Sequence, residues 1–245
     1  MHDRFSTDHA LSPAVLDALA TRGFVVLPHL FSAPELLRLQ DAYDTACACA
    51  APHDVRVGRT STRVNDFVNR GAEFDAVYTC QPALDAARQV IKGPFRLSAM
   101  HARTLHAGAM AEELHVDVPR ASDAWPMLGM ILMVDEFRSD NGATRFVPGS
   151  QHWAEAPEQV RADRSKAYEG ETRACGPEGS VILFNTSTWH GHTANSSGGA
   201  RRSLQATYIP RPARPATDFV GRMQADTLRR LGAVARYLVG LEETI

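Results

Sequence analysis

A change of hydrophobic period at Pro94 constrains the fold of this chain more than any other feature. Before it, apolar residues recur at helical spacing; after it come short apolar runs separated by Gly, Pro and Asn. Phe95–His106, His115–Val118, Met127–Val134, Ala143–Val147, Ser180–Asn185, Thr188–Ala194 and Arg201–Ile209 read as strands. Many short strands with such turns indicate a sandwich or barrel. Asn141-Gly142 is a strong turn signal between two of them.

The first third is mostly helical. Ser12-Pro13 reads as an N-cap and first-turn proline, and Gly23 ends that helix before a short buried strand, Phe24–Leu27. Ser32 and Glu35 form a capping box for a second helix, and a third fits Pro82–Lys92, closed by Gly93. Residues 51–75 read as polar and irregular; Arg59, Arg63 and Asn65 there suit either a substrate lid or a solvated loop. Asp218–Leu241 returns to helical spacing. With no repeat or linker in view, the expectation is one domain over 1–245. It comprises a helical part to about 93, a β core over about 94–210 and a helical tail over about 215–245.

Charge and composition exclude several functions. Lys plus Arg number 26 against 28 Asp plus Glu, a net charge of −2, so no nucleic-acid partner is expected. The longest apolar run, Met127–Val134, is too short to span a bilayer, and MHDRFSTDHA lacks the apolar core of a secretory signal. Cys47, Cys49, Cys80 and Cys175 form no CxxC pair and read as reduced thiols, so a cytoplasmic protein is expected. There is no GxSxG, Walker loop, GxGxxG or HExxH.

The chemistry concentrates in a few polar residues. In a strand, positions i and i+2 share a face, so His115 and Asp117 are expected to project together. Trp189-His190-Gly191-His192 offers a further imidazole. Two His and one carboxylate with open positions are the donor set of non-haem Fe(II) oxygenases. Arg201 follows in a new strand; its planar, permanently charged fork suits the far carboxylate of a chelating co-substrate. Alternation sends Arg202 to the opposite face.

These residues, with Asp140 through His152 (DNGATRFVPGSQH), Gly179–Phe184 and His190-Gly191 through Asn195 to Arg201, resemble the phytanoyl-CoA dioxygenase-like family of Fe(II)/2-oxoglutarate oxygenases. The likeness runs from about Gly23 to Pro210. It implies a mainly β fold with flanking helices, a double-stranded β-helix (jelly roll, cupin-like). It implies His115, Asp117 and His190 as the iron ligands and catalytic centre, and Arg201 as partner of the distal 2-oxoglutarate carboxylate. His192, Ser203, His101 and Arg103 are implied near the co-substrate. Glu112 stands where the family commonly has Gln, and Ala107-Gly108 where it commonly has Pro-Gly. The ligand Asp is intact, which leaves no vacated site for a halide. The implied cofactors are Fe(II), 2-oxoglutarate as co-substrate and O2. The implied activity is hydroxylation of an unactivated C–H in a small metabolite or natural-product intermediate, by a monomer or homodimer. Desaturation, epoxidation or ring formation by the same oxidising chemistry is the alternative outcome. A non-catalytic jelly roll binding a metal or small ligand and a zinc hydrolase are readings of other classes; the first has no need of open iron positions, and the second leaves Arg201 unexplained.

Overall fold

The computed structural model describes residues 8–120 and 125–244. Helix α1 (Pro13–Arg22) starts at Ser12, whose side chain accepts from the Val15 N–H, and stops at Gly23 in the left-handed region. Strand β1 (Phe24–Leu27) leads to α2 (Ala33–Ala48), where Ser32 and Glu35 cap each other as expected. Strands β2 (Val55–Val57) and β3 (Ser61–Val64) follow, so the segment expected to be irregular is in part a hairpin. Its polar sequence hides it because only one face is covered.

Helices α3 (Asp75–Thr79) and α4 (Gln81–Ile91) come next. The stop of α4 is not Gly93 but Lys92, which takes φ 56° and donates its N–H to the Arg88 carbonyl. The β core contains β4 (Phe95–Leu105), β5 (Leu128–Met133), β6 (Thr144–Phe146), the short helix α5 (Pro157–Val160), β7 (Thr172–Ala174), β8 (Val181–Asn185), β9 (His190–His192) and β10 (Arg201–Pro210). The tail forms α6 (Phe219–Arg222), α7 (Ala225–Arg230) and α8 (Ala233–Val239). No helix among the described residues is long and apolar enough to cross a membrane. The N-terminal stretch read for a leader lies partly outside the described residues, which begin at Asp8.

Among the described residues the strands make two antiparallel sheets, ordered β1-β8-β5-β10-β4-β3-β2 and β7-β6-β9. This is the jelly roll with flanking helices. The major sheet is covered on both faces, which is why β5 reads as one continuous apolar run. Leu128, Met130 and Leu132 of β5, with Leu204, Ala206 and Tyr208 of β10, meet the helices. Ile131 and Met133, with Phe24, Ile182 and Phe184, meet Phe137 and Phe146 from the minor-sheet side. Phe24 stacks on Phe146 at 4.4 Å, a contact joining the two sheets.

The Asn141-Gly142 turn joins strands of different sheets rather than a hairpin. Asn141 folds the loop with its own side chain, accepting from Arg138 N and donating to the Glu136 carbonyl. Gly142 has φ 81°, and a Cβ there would lie 2.1 Å from Leu105 Cδ2. Gly142→Ala should therefore cost about 1–3 kcal/mol, read as a lowered urea midpoint; an unchanged midpoint would show that the loop relaxes freely.

Candidate active site

His115-Val116-Asp117 is not a strand. It is a loop held by an isolated two-bond bridge: His115 N–H donates to the His190 carbonyl and His190 N–H to the His115 carbonyl, both at 3.0 Å. Asp117 N–H donates to the Thr186 carbonyl at 3.0 Å. Backbone bonds thus bring the three side chains together where the strand period would have done so by alternation. His115 Nε2 lies 3.7 Å from Asp117 Oδ1, and His190 Nε2 3.6 Å from Asp117 Oδ2. One donor atom from each of the three falls within 4.8 Å of the others.

Both imidazoles are held in one tautomer. Nδ1–H of His115 donates to the Glu113 carbonyl at 2.9 Å, and Nδ1–H of His190 to the Thr188 carbonyl at 2.8 Å. The Nε2 lone pairs are then left toward Asp117, which is how metal-binding histidines are oriented. Burial pushes the His190 pKa down, against the pull of Asp117, and keeps the ring neutral. Phe146 and Phe184 pack against that ring. Trp189 is a packing anchor set against Trp153 and Tyr168. Its N–H donates to Ser150 Oγ, which ties the Pro148-Gly149-Ser150 segment to the start of β9.

Arg201 is 3% exposed, yet no carboxylate among the described residues pairs with it. Its guanidinium lies 3.8 Å over the Phe137 ring and donates one bond to the Gly142 carbonyl. Its Nε is buried without a partner. Burial, then repulsion from Arg103, draws its pKa down to about 9, so the group remains a cation at neutral pH. Arg202, on the other face of β10, pairs with Asp135 and Asp44.

The three ligand candidates, Arg201, His192, His101 and Arg103 line one cavity of about 270 Å³. His192 gives its Nδ1–H to the Thr193 carbonyl and leaves Nε2 buried without a hydrogen bond, 3.8 Å from Glu112 Oε2. Ser203 lies on the same strand face as Arg201 but donates to the Arg103 carbonyl and does not line the cavity. Arg103 bonds Glu112 at 3.2 Å. Burial raises the Glu112 pKa, but Arg103, His192 and His115 together outweigh it and hold it down to about 2. His101 Nε2 bonds Gln205 Oε1 at 3.1 Å. An unusual strand register places Ser98 in the cavity wall too: β4 and β10 shift at Thr207/Tyr208, reversing the alternation.

Sequence reasoning missed Gln205 and Ser98 as cavity residues. Gln205 was findable, two residues beyond Ser203 on a face already chosen. It also missed Arg145, which is 2% exposed and donates to the carbonyls of Glu112, Arg164, Ser165 and Lys166 and to Glu171. That fan fixes the residue three before His115. Nothing in the spacing of the NGATRF stretch marks its arginine for this role.

The residues fit the implied group. Two neutral nitrogens and one carboxylate suit a divalent metal, and a buried guanidinium with an orphaned Nε suits an anion beside it. The phytanoyl-CoA dioxygenase (PhyH) family model matches residues 19–203, and the chain belongs to that family. It is 33% identical over 117 residues to dioxygenase cdmA of Talaromyces verruculosus, covering 44% of this chain and 37% of that protein. To dioxygenase sphC of Aspergillus fumigatus it is 26% identical over 203 residues, covering 75% of this chain and 52% of that protein. The chain thus spans about half or less of the length of these two relatives. HygX from Streptomyces hygroscopicus, solved with nickel, 2-oxoglutarate and hygromycin B bound, shares the fold with a TM-score of 0.70 and 17% identity. The match covers 84% of this chain and 90% of that one.

One pH effect follows from His101. Burial, then Arg63, draws its pKa down to about 4, whereas an unfolded histidine takes its proton near 6.5. The unfolded state therefore binds the extra proton first. The contribution is full above about pH 6.5, is lost as pH falls toward 4, and levels off below. About 1–3 kcal/mol is at stake. Denaturant titrations at several pH values should show this slope in the parent and not in His101→Gln; equal slopes would place the titration elsewhere.

Proposed function

We propose that this protein is an Fe(II)- and 2-oxoglutarate-dependent dioxygenase that hydroxylates an unactivated C–H of a small metabolite or natural-product intermediate. The observation that carries the reading is one cavity in which His115, Asp117 and His190 converge beside an ion-pair-free, buried Arg201. A zinc hydrolase or a simple binding module has no use for that second feature.

His115 and His190 would hold the metal through Nε2, with Asp117 giving a carboxylate oxygen. When bound, Fe(II) and 2-oxoglutarate supply the oxidation: with O2 they yield succinate and CO2 as one oxygen atom enters the substrate C–H bond. Arg201 orients the distal carboxylate of 2-oxoglutarate, and its burial strengthens that charge-assisted bond. Phe137 beneath the guanidinium and the Gly142 carbonyl fix the fork in place. His192 and Arg103 border the same space, and Ser203 steadies it through the Arg103 backbone. Met127, Ile131 and Phe184 wall the cavity with apolar surface that limits water around the reacting carbon.

Adding Fe(II) and 2-oxoglutarate to metal-free protein without oxygen should produce a visible metal-to-ligand charge-transfer band. His190→Ala should lack it. A parent protein with no band and tight zinc binding would turn the reading toward a hydrolase. Arg201→Gln should keep metal binding but raise the 2-oxoglutarate concentration for half-saturation of the band roughly ten- to hundredfold. An unchanged requirement would move the anchor to another residue.

A further inference from the structure

Arginines lie side by side across three adjacent strands at one end of the major sheet. In the register of β2, β3 and β4, Arg56 is opposite Arg63, and Arg63 opposite Arg103. Like charges directly opposite in a sheet are destabilising. Arg103 is relieved by Glu112. Arg56 is exposed and solvated. Arg63 is half-buried, lines the cavity, and makes no hydrogen bond or ion pair with any described residue. Burial first, then Arg103, works against its charge.

The charges of the filled site can be counted on the reading proposed above, on which this inference rests. The charged side chains lining the cavity, its histidines apart, are Arg63, Arg103, Glu112, Asp117 and Arg201. A divalent metal and Arg201 together balance Asp117 and the dianionic co-substrate. Arg103 balances Glu112. Among the described lining residues Arg63 is left over, with one positive charge and no ion pair of its own; Glu112 and Asp117 favour its charge only at a distance. Among the described residues no carboxylate in the lining remains to take an ammonium.

We infer that the substrate is a small monoanion whose carboxylate docks on Arg63. A planar guanidinium on a rigid strand takes a carboxylate in two places. One surplus charge fits one carboxylate and falls short of a phosphorylated or nucleotide-bearing molecule. Size agrees. The cavity of about 270 Å³ must also house the co-substrate, whereas pockets for drug-sized ligands run to roughly 300–1,000 Å³. The remaining lining presents polar groups from His101, Gln205 and Ser98 on one side and Met127, Ile131 and Phe184 on the other. The substrate is thus anchored at its acid end and meets an apolar wall along its carbon skeleton.

Thermal unfolding tests this without turnover. Protein loaded with Ni(II) and saturating 2-oxoglutarate is mixed with hexanoate, benzoate or cinnamate, and in parallel with the matching primary amides. At least one acid should raise the melting temperature while its amide does not. Arg63→Gln should weaken that acid roughly ten- to hundredfold, and Arg63→Lys should recover part of the loss. The shift caused by 2-oxoglutarate itself is the internal control and should be equal in parent and Arg63→Gln. Acids no better than amides, or an acid effect that survives Arg63→Gln, would overturn the inference. So would an Arg63→Gln protein that loses 2-oxoglutarate, because Arg63 would then belong to the co-substrate. If 2-oxoglutarate shifts neither protein, the oxygenase reading fails instead. The acid-against-amide difference, measured in metal-free protein, still decides Arg63.

Discussion

The site depends on one pair of backbone hydrogen bonds, those between His115 and His190. A single rung sets two imidazoles from distant parts of the chain at a ring separation of 4.5 Å. It works because β9 is already fixed in the minor sheet, whose inner face is buried against Phe24 and Phe184. The loop carrying His115 has little regular structure of its own and borrows order from its neighbour. Arg145 adds a second hold by collecting carbonyls from Glu112 and the 164–166 segment. Polar groups that would be costly to bury alone thereby satisfy one another.

Electrostatics divides the cavity into zones. Around the His-Asp-His cluster carbonyls fix the tautomers of both rings, and burial lowers the pKa of His190. Around Arg201 a cation is buried with an aromatic ring in place of a counter-ion. Around Arg103, a carboxylate and a guanidinium cancel. Burying an uncompensated charge is expensive, and the anion-anchoring role proposed for Arg201 would supply the missing compensation.

Much of this was legible in the sequence, for reasons that differ from residue to residue. A sandwich or barrel followed from short apolar runs and turn chemistry, the jelly roll from the family resemblance, and the first two helices from caps whose geometry is local. The segment carrying Arg63 was not read as a hairpin, because a polar edge hairpin leaves no periodic trace. Gly93 looked like the stop of α4, but Lys92 takes the left-handed conformation one residue earlier. His115 and Asp117 were expected together through strand alternation, and the structure brings them together through a loop. The pairing is as expected and the cause is different. Arg145 gains its place only from tertiary neighbours, whereas Gln205 follows from the alternation that sets Arg201 and Ser203.

The alternation along β10 has a consequence for insertions and deletions. Arg201 and Arg202 are adjacent in sequence but serve opposite sides of one sheet, the first inside the cavity and the second in an ion pair with Asp135. A slip of one residue in β10 would exchange them, setting a strongly paired cation inside and leaving Asp135 with the wrong partner. The neighbouring β4 absorbs one such offset at Ser98, opposite Thr207/Tyr208, where Ser98 and Thr207 still line the cavity, while β10 keeps an unbroken register with β5. An insertion or deletion within β10 would therefore change which arginine faces the cavity, whereas one in a flanking loop leaves that choice intact.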